Sequence, residues 1–179
     1  DNRTSLVFNQ DVRYLASDYL NLSANLLYSR NNDDVDNSNG KGATFKLNYV
    51  PVRHWQNNVE WTYFDDQLDI NDFGYQQRNN IASLSVDSQY DDYSMAKDSP
   101  LLRTRLYGKY TRARNTHGLA LRDTLYASYF FRLKSRHNFR IGINYKERGA
   151  DDLITRQIGA VELSEQNDLH FYYASPTPA

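Results

Sequence analysis

Apolar and polar residues alternate along most of this chain, in segments of about ten residues separated by polar turns. Successive side chains of a β-strand point to opposite faces, so strict alternation predicts strands whose two faces meet different surroundings. Leu6, Phe8, Val12 and Tyr14 share one face, while Asn9, Asp11 and Arg13 take the other. Leu20, Leu22, Ala24, Leu26 and Tyr28 alternate with Asn21, Ser23, Asn25 and Ser29. Ala43, Phe45, Leu47 and Tyr49 oppose Thr44, Lys46 and Asn48; Val59, Trp61 and Tyr63 oppose Asn58, Glu60 and Thr62. Ala82, Leu84, Val86 and Tyr90 oppose Ser83, Ser85, Asp87 and Gln89, and Leu102, Leu106 and Tyr110 oppose Arg103, Arg105 and Lys109. A seventh strand sets Leu121, Leu125, Ala127, Tyr129, Phe131 and Leu133 against Arg122, Thr124, Ser128 and Arg132. An eighth sets Phe139, Ile141, Ile143 and Tyr145 against Arg140, Asn144 and Lys146. Beyond Lys146 the pattern weakens, with a ninth candidate over 154–161 and a tenth over 169–173.

The connections alternate in length. Short links are expected at 16–18, 50–54 and 134–138, and long ones at 30–41 and 65–79, with a shorter one near Asn115. Only 91–100 breaks this parity, being long on the short-turn side. Strands of this length, with short turns on one side and longer loops on the other, are the signature of a transmembrane β-barrel. The expected fold is therefore all-β: an antiparallel transmembrane barrel, or part of a larger one, in a single domain over 1–179. A soluble sandwich or lipocalin-like barrel also alternates. The repeated Tyr or Trp near strand ends (Tyr14, Tyr28, Tyr49, Trp55, Tyr63, Tyr90, Tyr110, Tyr145) instead favours an interfacial aromatic belt.

Composition sharpens this picture. The mean hydropathy is −0.79, yet the chain carries 15 Tyr, 8 Phe and 2 Trp. A polar chain rich in aromatics suits a barrel that needs one apolar face and two aromatic girdles. No run approaches the roughly 18–20 apolar residues of a membrane-spanning helix. The absence of Cys excludes disulfides, thiolate metal sites and a Cys nucleophile. The chain begins at Asp1 without a signal peptide, which reads as a processed product or a piece of a longer protein.

The stretch DINDFGYQQRNN at 69–80, following the strand that contains Trp61, resembles a family of bacterial outer-membrane proteins of unknown function, numbered 5916. In that family an exported carbohydrate-binding family 9-like domain precedes a C-terminal barrel. The resemblance implies location in a Gram-negative outer membrane and barrel architecture, and it carries over no catalytic residues. It also implies more strands than are counted here, and a carbohydrate-binding-like domain that this sequence lacks. Residues 172–179 do not end in the aromatic residue typical of a barrel's last strand.

The net charge of −1, from 21 basic and 22 acidic side chains, gives no overall attraction to nucleic acid or anionic lipid. Its distribution is uneven. The polar face collects nine cations (Arg13, Lys46, Arg103, Arg105, Lys109, Arg122, Arg132, Arg140, Lys146) against the acids Asp11, Glu60 and Asp87. A water-filled passage lined by one sign of charge concentrates the opposite ion, so an anion-preferring channel is one expectation. The competing expectation is an inward-folded acidic plug, with Asp65, Asp66, Asp69 and Asp72 as its charges. The acidic loop at 31–40 holds Asp33, Asp34 and Asp36 but fails the calcium-loop pattern, with Asn39 and Phe45 where Gly and Glu are required. Four scattered His and no nucleophile elbow leave a rim hydrolase built on His117 and the acids at 65–72 as the weakest reading. Period two also explains the Arg and Tyr at 107–114 better than nucleic-acid stacking does. No cofactor and no metal are expected; the partners expected are the lipid bilayer and, beyond it, other subunits or a periplasmic domain. The functional expectation is solute passage across the outer membrane, carbohydrate-linked or anionic, with a non-transporting anchor as the alternative.

Overall fold

Nine strands, each hydrogen-bonded antiparallel to the next in chain order, form one sheet. They are β1 (Thr4–Ser17), β2 (Leu20–Asn32), β3 (Asn37–Val52), β4 (Trp55–Phe64), β5 (Ile81–Asp92), β6 (Leu101–Arg114), β7 (Thr124–Leu133), β8 (Asn138–Lys146) and β11 (Gln166–Ala174). Between the last two, β9 (Gly149–Asp151) and β10 (Val161–Leu163) pair only with each other. The computed structural model describes residues 4–32, 37–70, 78–155 and 158–176. Main-sheet strands run from 9 to 16 residues. A tilted strand needs about 9–11 residues to cross a bilayer's hydrocarbon core.

The register explains why alternation in the sequence becomes two chemically distinct faces. Tyr14, Leu22, Leu47, Val59, Val86, Tyr110, Leu125 and Tyr145 lie opposite one another in succession across eight strands. A second row runs Tyr90, Leu106, Tyr129, Ile141, Phe171. On the other face, Asn21, Asn48, Asn58, Asp87, Lys109, Tyr126, Asn144 and Asp168 form an equally continuous polar row. A slip of one residue in any ladder would exchange the faces of a whole strand.

Among the described residues, no second layer covers the apolar face. Phe8 is 56% exposed, Leu106 57% and Ile141 48%; among the described residues the buried apolar side chains are Leu68 and Leu121, and both belong to loops. Aromatic residues flank this face at both ends of the strands, and several are tethered by their polar tips. Near the short turns, Trp55 Nε1 donates to Ser88 Oγ at 2.8 Å and Tyr173 Oη lies 2.8 Å from His137 Nδ1. Near the long loops, Tyr28 donates to Asn39 at 3.0 Å and Tyr110 to Asp123 at 2.8 Å.

Three of the sequence-based expectations shift. The strand expected over 154–161 does not join the sheet: the described part of that stretch runs through the connection between β9 and β10 to Val161, the first residue of β10, and β9 and β10 form a small hairpin at the loop end. The candidate at 169–173 is real and longer, and as β11 it is the ninth strand of the sheet. Leu121 and Arg122 precede β7 rather than opening it, because Leu121 turns into the loop layer and bridges Ala150. Strand directions also limit closure. With every neighbour antiparallel, β1 and β11 run the same way, so these two edges cannot form an antiparallel ladder with each other. The sheet is open, and barrel closure is not part of the fold seen here.

Candidate functional site: the polar face of the sheet

Eight of the nine expected cations sit on strands on the polar face. Arg122 does not; its Nε and Nη2 donate to the carbonyls of Glu147 and Ser164 at 3.2 and 2.8 Å, tying the β6–β7 loop to the β8–β11 connection. Lys46 pairs with Glu60 at 3.0 Å. Asp91 takes both Arg103 and Arg105, with its Oδ1 2.6 Å from Arg103 Nη2 and 2.9 Å from Arg105 Nε. Near the middle of the face, Asn48 donates to Asn58 at 2.6 Å and Asn58 to Asp87 at 2.8 Å. This chain lines a cleft of about 330 Å³, with Lys46, Glu60, Ser85 and Lys109 around it.

The loop between β4 and β5 lies on this face. Leu68 is fully buried and stands over Gly40, where a Cβ would overlap the Leu68 and Gln67 backbone. A Cβ on Gly42 would come within 2.7 Å of the Phe64 ring and 2.8 Å of Leu68. Asp69 N donates to the buried Ser29 Oγ at 3.1 Å, and Asp65 Oδ2 accepts from Lys41 N at 2.8 Å. The loop thus rests against the polar face of β2 and β3. Asp65 caps a backbone amide and Asp66 lies 3.2 Å from His117 Nε2. Asp72 lies outside the described residues, as do Asp33, Asp34 and Asp36 of the acidic loop. Among the described residues no group of three or more His, Cys, Asp or Glu could hold a metal. His117 and Asp66, the pair on which a rim hydrolase would rest, do meet, yet both are well exposed.

The loop layer has its own polar lock. Asp152, between β9 and β10, is paired with Arg78 and accepts from Asn115 Nδ2 at 3.1 Å. Burial works against ionisation of Asp152, but the hydrogen bonds from Asn115 and Arg78 and the Arg78 charge outweigh it, holding its carboxyl below the usual value. Asn80, at a left-handed φ of 53°, accepts from Thr116 N and Oγ1 at 2.8 and 2.6 Å. Asn tolerates that backbone region better than most residues. Three loops from distant parts of the chain are joined in this way.

Aromatic residues on the polar face escaped the reading of the sequence. Tyr126 and His170 stack with ring centroids 5.5 Å apart and planes 4° from parallel. Tyr107 leans on Tyr126 at 5.8 Å. His170 lies over Gly142, whose missing side chain makes the room. Phe130 lies opposite both Arg105 and Arg140 in the register, and the guanidiniums of Arg103 and Arg140 stand 6.0 Å from its ring centre. The signal was available: Tyr126 and Phe130 share parity with Thr124, Ser128 and Arg132, although the apolar run 129–131 hides it.

A family model described as a domain of unknown function (DUF5916) matches residues 2–176. No curated protein and no solved structure matches the chain.

Proposed function

The chain belongs to this family of unknown function, and from that premise we propose that it forms a membrane-embedded arc of an outer-membrane β-barrel that passes solutes. One observation carries the reading: a largely apolar face spans nine strands, nothing among the described residues covers it, and the opposite face is polar and charged. Monomeric soluble proteins rarely expose apolar patches beyond a few hundred Å². Lipid is the solvent that suits this face, and every other side chain of each strand is then buried in hydrocarbon at about 25 cal/mol per Å². The two aromatic borders, with phenol and indole tips held by polar groups, suit the two membrane interfaces. Closure into an antiparallel barrel calls for an odd number of further strands between β11 and β1, because those edges run the same way.

The polar face then borders water, and its excess of Arg and Lys favours anions. A sealed anchor is the second reading, supported by the β4–β5 loop resting on the inner face. Two measurements test these. The protein is expected to stay with outer membranes through alkaline carbonate and urea washes; release into the wash removes both readings. Purified from those membranes into planar bilayers, it is expected to give steady anion-selective current, whereas a silent bilayer leaves the anchor.

A further inference from the structure

Four guanidiniums surround one phenyl ring near the short-turn end of the polar face. Arg105 and Arg140 flank Phe130 across the ladder, Arg132 follows it by two on the same strand face, and Arg103 lies directly opposite Arg132. Like charges placed opposite each other on a sheet face destabilise it unless something compensates. Asp91 compensates only part of this group: its two oxygens are spent on Arg103, Arg105 and Gln89. Arg140 makes no ion pair among the described residues, and Arg132 Nε is buried there without a hydrogen-bond partner. Arg140 remains exposed beside Tyr172, its neighbour across the β8–β11 ladder.

We propose that Arg132 and Arg140, with Phe130 two residues before Arg132 on β7 and directly opposite Arg140 on β8, form a binding site for an oxyanion carried on a flat apolar body, such as an aromatic carboxylate or aryl phosphate. The guanidinium is planar and its N–H groups form a fork that matches carboxylate and phosphate oxygens. A guanidinium held over a ring keeps its edge donors free to reach outward. The phenyl face meanwhile offers a stacking surface that a simple inorganic anion would not use. This site rests on the proposed function only in requiring that the polar face meet water.

The test uses the full protein in zwitterionic detergent micelles, with 4-fluorobenzoate as probe and 4-fluorobenzyl alcohol as its neutral counterpart, both followed by fluorine NMR. The benzoate is expected to bind and the alcohol to bind at least about tenfold more weakly, as loss of charge-assisted hydrogen bonds implies. The double variant Arg132→Gln, Arg140→Gln should lose benzoate binding by a similar factor. Arg13→Gln, on the same face at the far side of the sheet, should leave it unchanged. Phe130→Leu should bring benzoate down to the affinity of acetate while sparing acetate itself. No benzoate binding, equal binding of the alcohol, or an equal loss in Arg13→Gln would overturn the proposal, the last by reducing the site to diffuse charge. Circular dichroism of each variant separates misfolding from lost contacts. Release from membranes with benzoate binding intact would remove the proposed passage and leave the site.

Discussion

Leu68, in the loop between β4 and β5, lies directly over Gly40 of β3, so close that the backbone of the loop occupies the place of a Gly40 side chain. An element of the polar face is thereby seated by the absence of an atom. Gly40→Ala should force the loop away or strain the strand, at a cost of about 1–3 kcal/mol as overpacking usually exacts. Faster proteolysis within 65–70 and a larger single-channel current are the expected results. An unchanged cleavage rate would show that the loop is held by its other contacts, such as Asp65 to Lys41 and Asp69 to Ser29.

Leu22 and Leu47 face each other as the second and third members of the apolar row. Arg at either position should cost about 2–4 kcal/mol if the two lie near the bilayer midplane, while Ser23→Arg, one residue along on the opposite face, should cost far less. Urea unfolding in lipid vesicles measures both. Equal losses would contradict the assignment of faces.

Asp152 provides a pH dependence confined to the loops. Its carboxyl is held below the usual 3.8 in the folded protein. The stability it contributes is therefore present above that value and lost as pH falls through the lower, folded one. Hydrogen exchange around Asn115 and Leu121 should stay slow at pH 5 and 7 and quicken below about pH 3.8. Asp152→Asn should already exchange faster at pH 7, by about 1.5–3 kcal/mol of local stability, and should show little further change in acid.

Lys46 and Glu60 make a close pair at 3.0 Å, yet both side chains are more than two-fifths exposed. Lys46→Ala should shift the unfolding midpoint by less than about 1 kcal/mol, the usual worth of a solvated pair. A larger loss would mean that the polar face is drier than its exposure indicates.

Strand positions and faces were legible from alternation because period two is a local property: each side chain's parity decides its face whatever the neighbouring strand is. All eight strands expected from clear alternation appear in the sheet. Parity failed where polar and apolar types mix. Phe130 and Tyr126 are aromatic yet share a face with Arg132, and the three-residue strands β9 and β10 are too short to show any period.

By itself, then, the sequence determined which residues share the apolar face and which the polar one, since that choice is made residue by residue through the pleat. Tertiary structure decided the partners: that Asp91 rather than the acidic loop takes Arg103 and Arg105, that Leu68 settles on Gly40, and that Asp152 joins Arg78 to Asn115. These contacts join positions dozens of residues apart or on neighbouring strands. They depend on register and on the path of loops, neither of which leaves a periodic trace in the chain.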